Sequence, residues 1–162
     1  MQFKRIHFLP TQIPLLHENP YVHSSPFRSF VEILTVISMK KIVTSKNAPN
    51  PIGPYSHGVL FENMLFVSGQ VGKHPQTGEI VDDIESQTRQ VMSNIDAILK
   101  DGGMNFSNVV KTTIFLQDFK DFAKVNEIYG SNFIGDYPAR ETVEVSRLPL
   151  DVLVEISVIA IK

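Results

Sequence analysis

The chain has 162 residues, 43% of them hydrophobic and 20% charged, with a net charge of −2 and a pI near 6.2. This is a globular composition sized for one domain with an appendage, and it offers no broad attraction to nucleic-acid phosphate or an anionic membrane. The absence of cysteine excludes a disulfide framework, a thiolate nucleophile and any cysteine-ligated zinc or iron–sulfur centre.

Residues 1–38 differ in composition from the rest. They hold four of the ten prolines (Pro10, Pro14, Pro20, Pro26) and three of the five histidines (His7, His17, His23). Each proline removes a backbone donor and disfavours helix at the residue before it, so no long regular element is expected until the last of them is passed. The most apolar run, 30–37, is interrupted by Glu32 and Thr35. It falls well short of the roughly 20 residues that span a bilayer. Three readings stand for this extension: a targeting presequence, a translated stretch upstream of a start at Met39, or a disordered or partner-binding tail. The second is preferred. The expected location is cytoplasmic, or mitochondrial if the extension is a presequence.

From Met39 the chain reads as one domain, 39–162. A strand is predicted at 41–44, and Pro49, Pro51 and Pro54 then force an extended or turning path. Strands follow at 56–61 and 64–68, joined by a Glu62-Asn63 hairpin turn. Pro75 and Gly78 mark a loop. A helix is predicted at 82–100, because Val91, Ile95, Ile98 and Leu99 recur at helical spacing and Gly102-Gly103 stop it. The β-branched run 109–116 reads as a strand. Asp118 or Asp121 opens a second helix to about residue 133, with Phe122, Val125 and Tyr129 on one face. Strands at 141–146 and 152–161, separated at Pro149, complete the order β-β-β-α-β-α-β-β.

That order favours an α+β sandwich, a mixed sheet with two helices on one face. In the last strand Val152, Val154, Ile156, Val158 and Ala160 share one face, and Leu153, Glu155, Ser157, Ile159 and Ile161 the other. Both faces are largely apolar, yet two helices cover only one. Another subunit is the simplest cover for the second.

Standard catalytic signatures are sparse. Ser68-Gly69-Gln70-Val71-Gly72 is neither a P-loop nor a dinucleotide fingerprint. It reads as a tight turn after a strand, with amides that could still meet a ligand. Ser56 and His57 are adjacent on a predicted strand and point to opposite faces, so they do not form a nucleophile–base pair. His57 and His74 are the only histidines of the domain, and neither has a second ligand at metal-binding spacing, so no metal site is expected. Arg140, after Tyr137-Pro138-Ala139 at a strand entrance, can present a planar fork to a carboxylate or phosphate. Glu155 sits inside an otherwise apolar strand, where a carboxylate is costly unless paired, and where burial would raise its pKa. Arg140 or Arg147 neutralising Glu155 in a structural ion pair is an equal alternative. Tyr55 is either a packed aromatic or a pocket wall.

Several motifs in order carry a resemblance. Ala48-Pro-Asn-Pro-Ile-Gly-Pro-Tyr-Ser-His-Gly58, Val67-Ser-Gly-Gln-Val71, and Pro138-Ala-Arg-Glu-Thr-Val-Glu-Val145 with Arg147-Leu-Pro149 and Val154-Glu-Ile156 resemble the signatures of the RidA/YjgF family. The likeness covers residues 40–162 and not the extension. It implies a chorismate-mutase-like α+β fold, a homotrimer with sites in the clefts between subunits, and hydrolysis of reactive 2-imino and 2-enamino acids to 2-oxo acids and ammonia without cofactor or metal. It implies that Arg140 grips the substrate carboxylate and that Glu155 hydrogen-bonds the substrate or the attacking water. Tyr55, Ser68 and Gly69 would line the cleft, and Asn126 would support it from the second helix. Thr142 stands where many relatives have cysteine, so a thiol there is not required, and its backbone can still face the ligand. Endoribonuclease activity, also ascribed to relatives, and a non-catalytic sensor or chaperone-like trimer that binds 2-oxo acids are the other functions the resemblance leaves open.

Overall fold

The computed structural model describes residues 40–162; the extension and its three readings lie outside the described residues. Six strands form one sheet: β1 (Lys41–Val43), β2 (Gly58–Phe61), β3 (Met64–Val71), β4 (Val109–Leu116), β5 (Ala139–Glu144) and β6 (Val154–Ile161). Their spatial order is β1-β2-β3-β6-β4-β5. Only β4 and β5 pair in parallel, and α2 (Phe122–Gly130) lies between them in sequence, as a parallel crossover demands. The other helix, α1 (Ile84–Asp101), packs on β3, β6 and α2. This is the expected α+β architecture, with a mixed sheet and both helices on one face.

Each predicted element exists, and the boundaries differ for identifiable reasons. In α1, Val91, Ile95, Ile98 and Leu99 are wholly buried, and the Asp83 carboxylate caps the start by accepting from the Ser86 amide at 2.8 Å. The second helix is shorter than expected. Asp118 caps a 3-10 turn (Phe119–Asp121) and not the α-helix itself. Past Gly130, the Asn132 and Ser131 side chains both donate to the Ile128 carbonyl, which ends the helix.

The expectation of a tight turn at Ser68-Gly69 is incorrect. β3 runs through it to Val71, and the register against β6 slips between Val67 and Gln70. The extra residue forms a bulge, which lets the strand continue while re-aiming its side chains. Residues 56 and 57 precede β2 and are not part of it. His57 is buried and serves the backbone: its Nδ1 accepts from the Ser45 amide at 3.0 Å and its Nε2 donates to the Pro49 carbonyl at 2.7 Å. Those two bonds tie the proline-rich segment to the sheet.

The core lies between sheet and helices. Val154, Ile156, Val158 and Ala160 of β6 are buried there beside Ile114 and Leu116. On the opposite face, Glu155, Ser157, Ile159 and Ile161 are only half-buried, and their neighbours Phe66 and Val143 are exposed. Among the described residues nothing covers this second apolar face.

Candidate active site

Strand register decides where the two candidate catalytic residues point. Arg140 pairs with Thr112, which pairs with the buried Val158. Arg140 therefore projects to the helix side of the sheet. Glu155 pairs with Val71 and with Phe115. It projects to the opposite side. Within one chain the two residues stand back to back across the sheet, each in its own depression.

Arg140 is held by α2. One terminal nitrogen donates to Asn126 Oδ1 at 2.8 Å, and the guanidinium lies 5.0 Å from the Tyr129 ring centre and 5.7 Å from that of Phe122. Tyr129 is itself fixed, donating to Thr112 Oγ1 at 3.1 Å. Burial pushes its phenol pKa up, against the opposing effects of that hydrogen bond and the Arg140 charge. The aromatic faces and one neutral acceptor orient the fork without neutralising it. Among the described residues no carboxylate forms an ion pair with Arg140. Its remaining donors front a broad groove bounded by Asn126, Tyr129, Gly130, Tyr137 and Pro138. Such a guanidinium is equipped to bind an anion.

Thr142 follows two residues along the same strand face, and its Oγ1 is buried with no hydrogen-bond partner among the described residues.

Glu155 forms the polar floor of a separate cavity of about 360 Å³, lined by Ile52, Tyr55, Ser68, Gly69, Val71, Pro149 and Leu150. Its carboxylate packs directly on Gly69, where an added Cβ would fall 1.8 Å from Glu155 Oε1. That is why a glycine occupies the bulge. Ser68 is fixed beside it, donating from Oγ to the Ser56 carbonyl at 2.7 Å and from its amide to the His57 carbonyl at 3.0 Å. The Tyr55 hydroxyl accepts from the Ile52 amide at 3.3 Å. Desolvation holds the Glu155 pKa above the ordinary carboxylate value.

The ion-pair alternative fails in this chain. Arg147 is engaged by Asp151 in a forked pair at 2.6 and 3.0 Å, Arg140 is held by Asn126, and neither meets Glu155. The structure thus brings Tyr55, Ser68, Gly69 and Glu155 together at one cavity, and Arg140 and Asn126 together at the other. Sequence reasoning missed Ile52, Val71, Pro149 and Leu150. The Pro149 break was visible, but nothing marked its neighbour as a cavity wall. Among the described residues no three His, Asp or Glu side chains converge as a metal ion would need.

Comparisons with known proteins place the described domain in a family. The family model described as Endoribonuclease L-PSP matches residues 45–162. A RutC family protein of Pyrococcus horikoshii is 53% identical over 125 residues, which is 76% of this chain and 99% of that protein. The 2-iminobutanoate/2-iminopropanoate deaminase of Escherichia coli is 44% identical over 127 residues, again 76% of this chain and 99% of that protein. Among solved structures, Escherichia coli TdcF with bound serine superposes with a TM-score of 0.74 at 42% identity, covering 75% of this chain and 98% of that one. The chain belongs to the endoribonuclease L-PSP family, the group of RidA, YjgF and RutC proteins.

Proposed function

We propose that this protein hydrolyses reactive 2-imino acids to 2-oxo acids and ammonia in a site completed between copies of the chain. The observation that carries this reading is the separation of an unneutralised guanidinium and a desolvated, cation-free carboxylate onto opposite faces of one sheet. A small 2-imino acid needs both groups at once, and one chain cannot supply them to one molecule. The uncovered apolar face that carries Glu155 gives a second copy a surface to bury, and a homotrimer with three such clefts satisfies both requirements. The name of the Escherichia coli deaminase and the serine bound to TdcF support a small amino-acid-like ligand.

In this reading Arg140 holds the substrate carboxylate and so fixes C2, with Asn126 orienting the fork. Glu155, as carboxylate, takes a proton from water as the oxygen adds to C2 of the protonated imine. It returns that proton to the nitrogen. The C2–N bond then breaks, ammonia leaves, and the remaining hydroxyl gives its proton to the Glu155 carboxylate as the carbonyl forms; passing that proton to the ammonia restores the base. Tyr55, Ser68 and Gly69 wall the cleft, and Thr142 Oγ1, which lacks a partner among the described residues, is available to the ligand beside Arg140. The nuclease activity named in the family description gains no support from the histidines: His57 is occupied by backbone at both nitrogens, and His74 Nδ1 accepts from the Gln76 and Thr77 amides.

The test is a coupled assay in which a threonine or serine dehydratase releases the imine and added protein accelerates ammonia production. No acceleration, with tight 2-oxobutanoate binding, would favour the sensor instead. Two further outcomes are expected. The acid limb of kcat/KM lies above the ordinary glutamate value of 4.5, because burial raises the pKa of the base. It disappears in Glu155→Gln, together with roughly 10²-fold or more of the rate. The same raised pKa means the charged form opposes folding above the unfolded-state pKa, so Glu155→Gln melts no lower than the parent at neutral pH. Secondly, Gly69→Ala displaces the Glu155 carboxylate and costs roughly 10²-fold in kcat/KM, with unchanged circular dichroism. Near-parental activity in Gly69→Ala would remove Glu155 from the mechanism as drawn.

A further inference from the structure

Gln70 ends the run Ser68-Gly69-Gln70, whose first two residues wall the cleft while Gln70 has no part in it so far. It pairs with the buried Ile156 and so projects to the core side of β3, away from the face left for a second copy. Only 5% of it is exposed, and a buried amide is costly unless it finds partners. Gln70 finds them in its own strand. Its Nε2 donates to the Ser68 carbonyl at 3.0 Å and to the Gly69 carbonyl at 3.3 Å, and no other side chain among the described residues donates to either. These are the carbonyls of the bulge, where the register against β6 slips and regular ladder bonding lapses. The other side of the bulge meets the Glu155 carboxylate, which occupies the space an added Cβ on Gly69 would fill. The bulge therefore lies between the Gln70 amide and the Glu155 carboxylate.

We infer that Gln70 is a positioning residue for imine hydrolysis: by gripping the Ser68 and Gly69 peptides it sets the surface on which the Glu155 carboxylate rests. This rests on the reading of Glu155 as the base. Both ends of the segment are anchored independently of Gln70. Ser68 is tied to the Ser56 and His57 carbonyls through its Oγ and amide. Beyond the bulge, the buried Asn94 of α1 donates to the Val71 and Lys73 carbonyls at 3.0 and 3.1 Å. Between these anchors the two peptide groups of the bulge are free to rotate unless their carbonyls are held, and Gln70 holds both. Without it the Gly69 surface shifts, water reaches the carboxylate, and Glu155 loses its alignment with C2. The strand itself persists on its anchors. The substrate carboxylate is held by a guanidinium on another element, so binding survives while proton transfer suffers.

The experiment compares the full-length parent with Gln70→Met, which keeps length and volume but has no donor, and with Gln70→Leu. In the coupled assay kcat should fall about tenfold or more in Gln70→Met, with KM within about threefold of the parent. The acid limb of kcat/KM should move to lower pH, toward the ordinary value of 4.5, as water relieves the desolvation of Glu155. Carbon-13 NMR of the glutamate carboxyls reads the same change without turnover, the Glu155 signal being the one missing from Glu155→Gln. Tyr55, the other titratable side chain lining that cavity, and the guanidinium brought by a neighbouring copy are the same in parent and variant, so the movement reports the bulge. In Gly69→Ala, where the added methyl has already displaced the carboxylate, Gln70→Met should cost less than about threefold more. Losses that simply multiply would overturn the inference. So would a lower melting temperature with parental kcat and parental Glu155 titration, or failure of both Gln70 variants to fold, which would make Gln70 a determinant of the fold alone. If the parent hydrolyses no imine, the catalytic reading fails while the titration still decides the role of Gln70; an unchanged Glu155 titration in Gln70→Met overturns it.

Discussion

Replacing Arg140 by alanine is expected to lower kcat/KM for imine hydrolysis by roughly 10²–10³-fold, since truncating one partner of a charge-assisted pair costs about 2–5 kcal/mol. The guanidinium is oriented in advance by Asn126 and by two aromatic faces, and no carboxylate among the described residues forms an ion pair with it. In the proposed reading its charge is held for a ligand, and no ion pair among the described residues uses it to hold the fold. Lysine at the same position keeps the charge but loses the planar fork and the stacking on Tyr129, so Arg140→Lys should recover only part of the loss and chiefly show a raised KM. The effect on stability is smaller. Exposed cation–π contacts contribute about 0.5–1 kcal/mol, and the Tyr129–Thr112 hydrogen bond is untouched. Steady-state kinetics beside thermal melts separate the two effects. An alanine variant within about threefold of the parent in kcat/KM would remove Arg140 from the site.

The residues readable in advance are those whose environment repeats. Val91, Ile95, Ile98 and Leu99 announce α1 by spacing, and the alternation of 152–161 announces a strand with two apolar faces. All four helix residues are wholly buried, and of the two apolar faces of β6 one is sealed by helices while the other is uncovered among the described residues. What escaped the sequence depends on single backbone angles or on register. A leucine gives no sign that it will adopt φ 59°, because propensity argues against it; burial of its neighbours Leu148 and Val152 imposes the turn. The bulge at Ser68-Gly69 reads locally as a turn. It becomes a strand only because β6 is present to pair with both ends of it. Arg140 and Glu155 were both legible as unusual, one at a strand entrance and one within an apolar strand. Their placement on opposite faces was not, since it follows from the pairing of β5, β4 and β6. The same register explains why the ion-pair alternative could not be rejected beforehand: nothing in the spacing from Arg147 to Glu155 reveals that Asp151 intercepts the arginine.

That placement leads to the second large effect. Chains carrying Arg140→Ala and chains carrying Glu155→Gln should each be almost inactive alone, yet regain activity when co-refolded or co-expressed. The first variant keeps an intact cavity with Tyr55, Gly69 and Glu155; the second keeps an intact Arg140 and Asn126. If each cleft draws its guanidinium from one copy and its carboxylate from the next around a closed ring, random mixing joins the two intact halves in about one cleft in four. The other three clefts in four lack one group or both. Activity near a quarter of the parental value is therefore expected from an equimolar mixture, far above the roughly hundredfold loss in either component. The substitutions lie on opposite sides of the sheet and share no contact within a chain, so simple recovery of folding has no route to the same result. A site contained in one chain predicts no recovery at any mixing ratio. Size-exclusion chromatography with light scattering on the mixture completes the experiment: recovered activity must elute with an assembly of like chains, and a monomer that carries full activity would overturn the composite cleft.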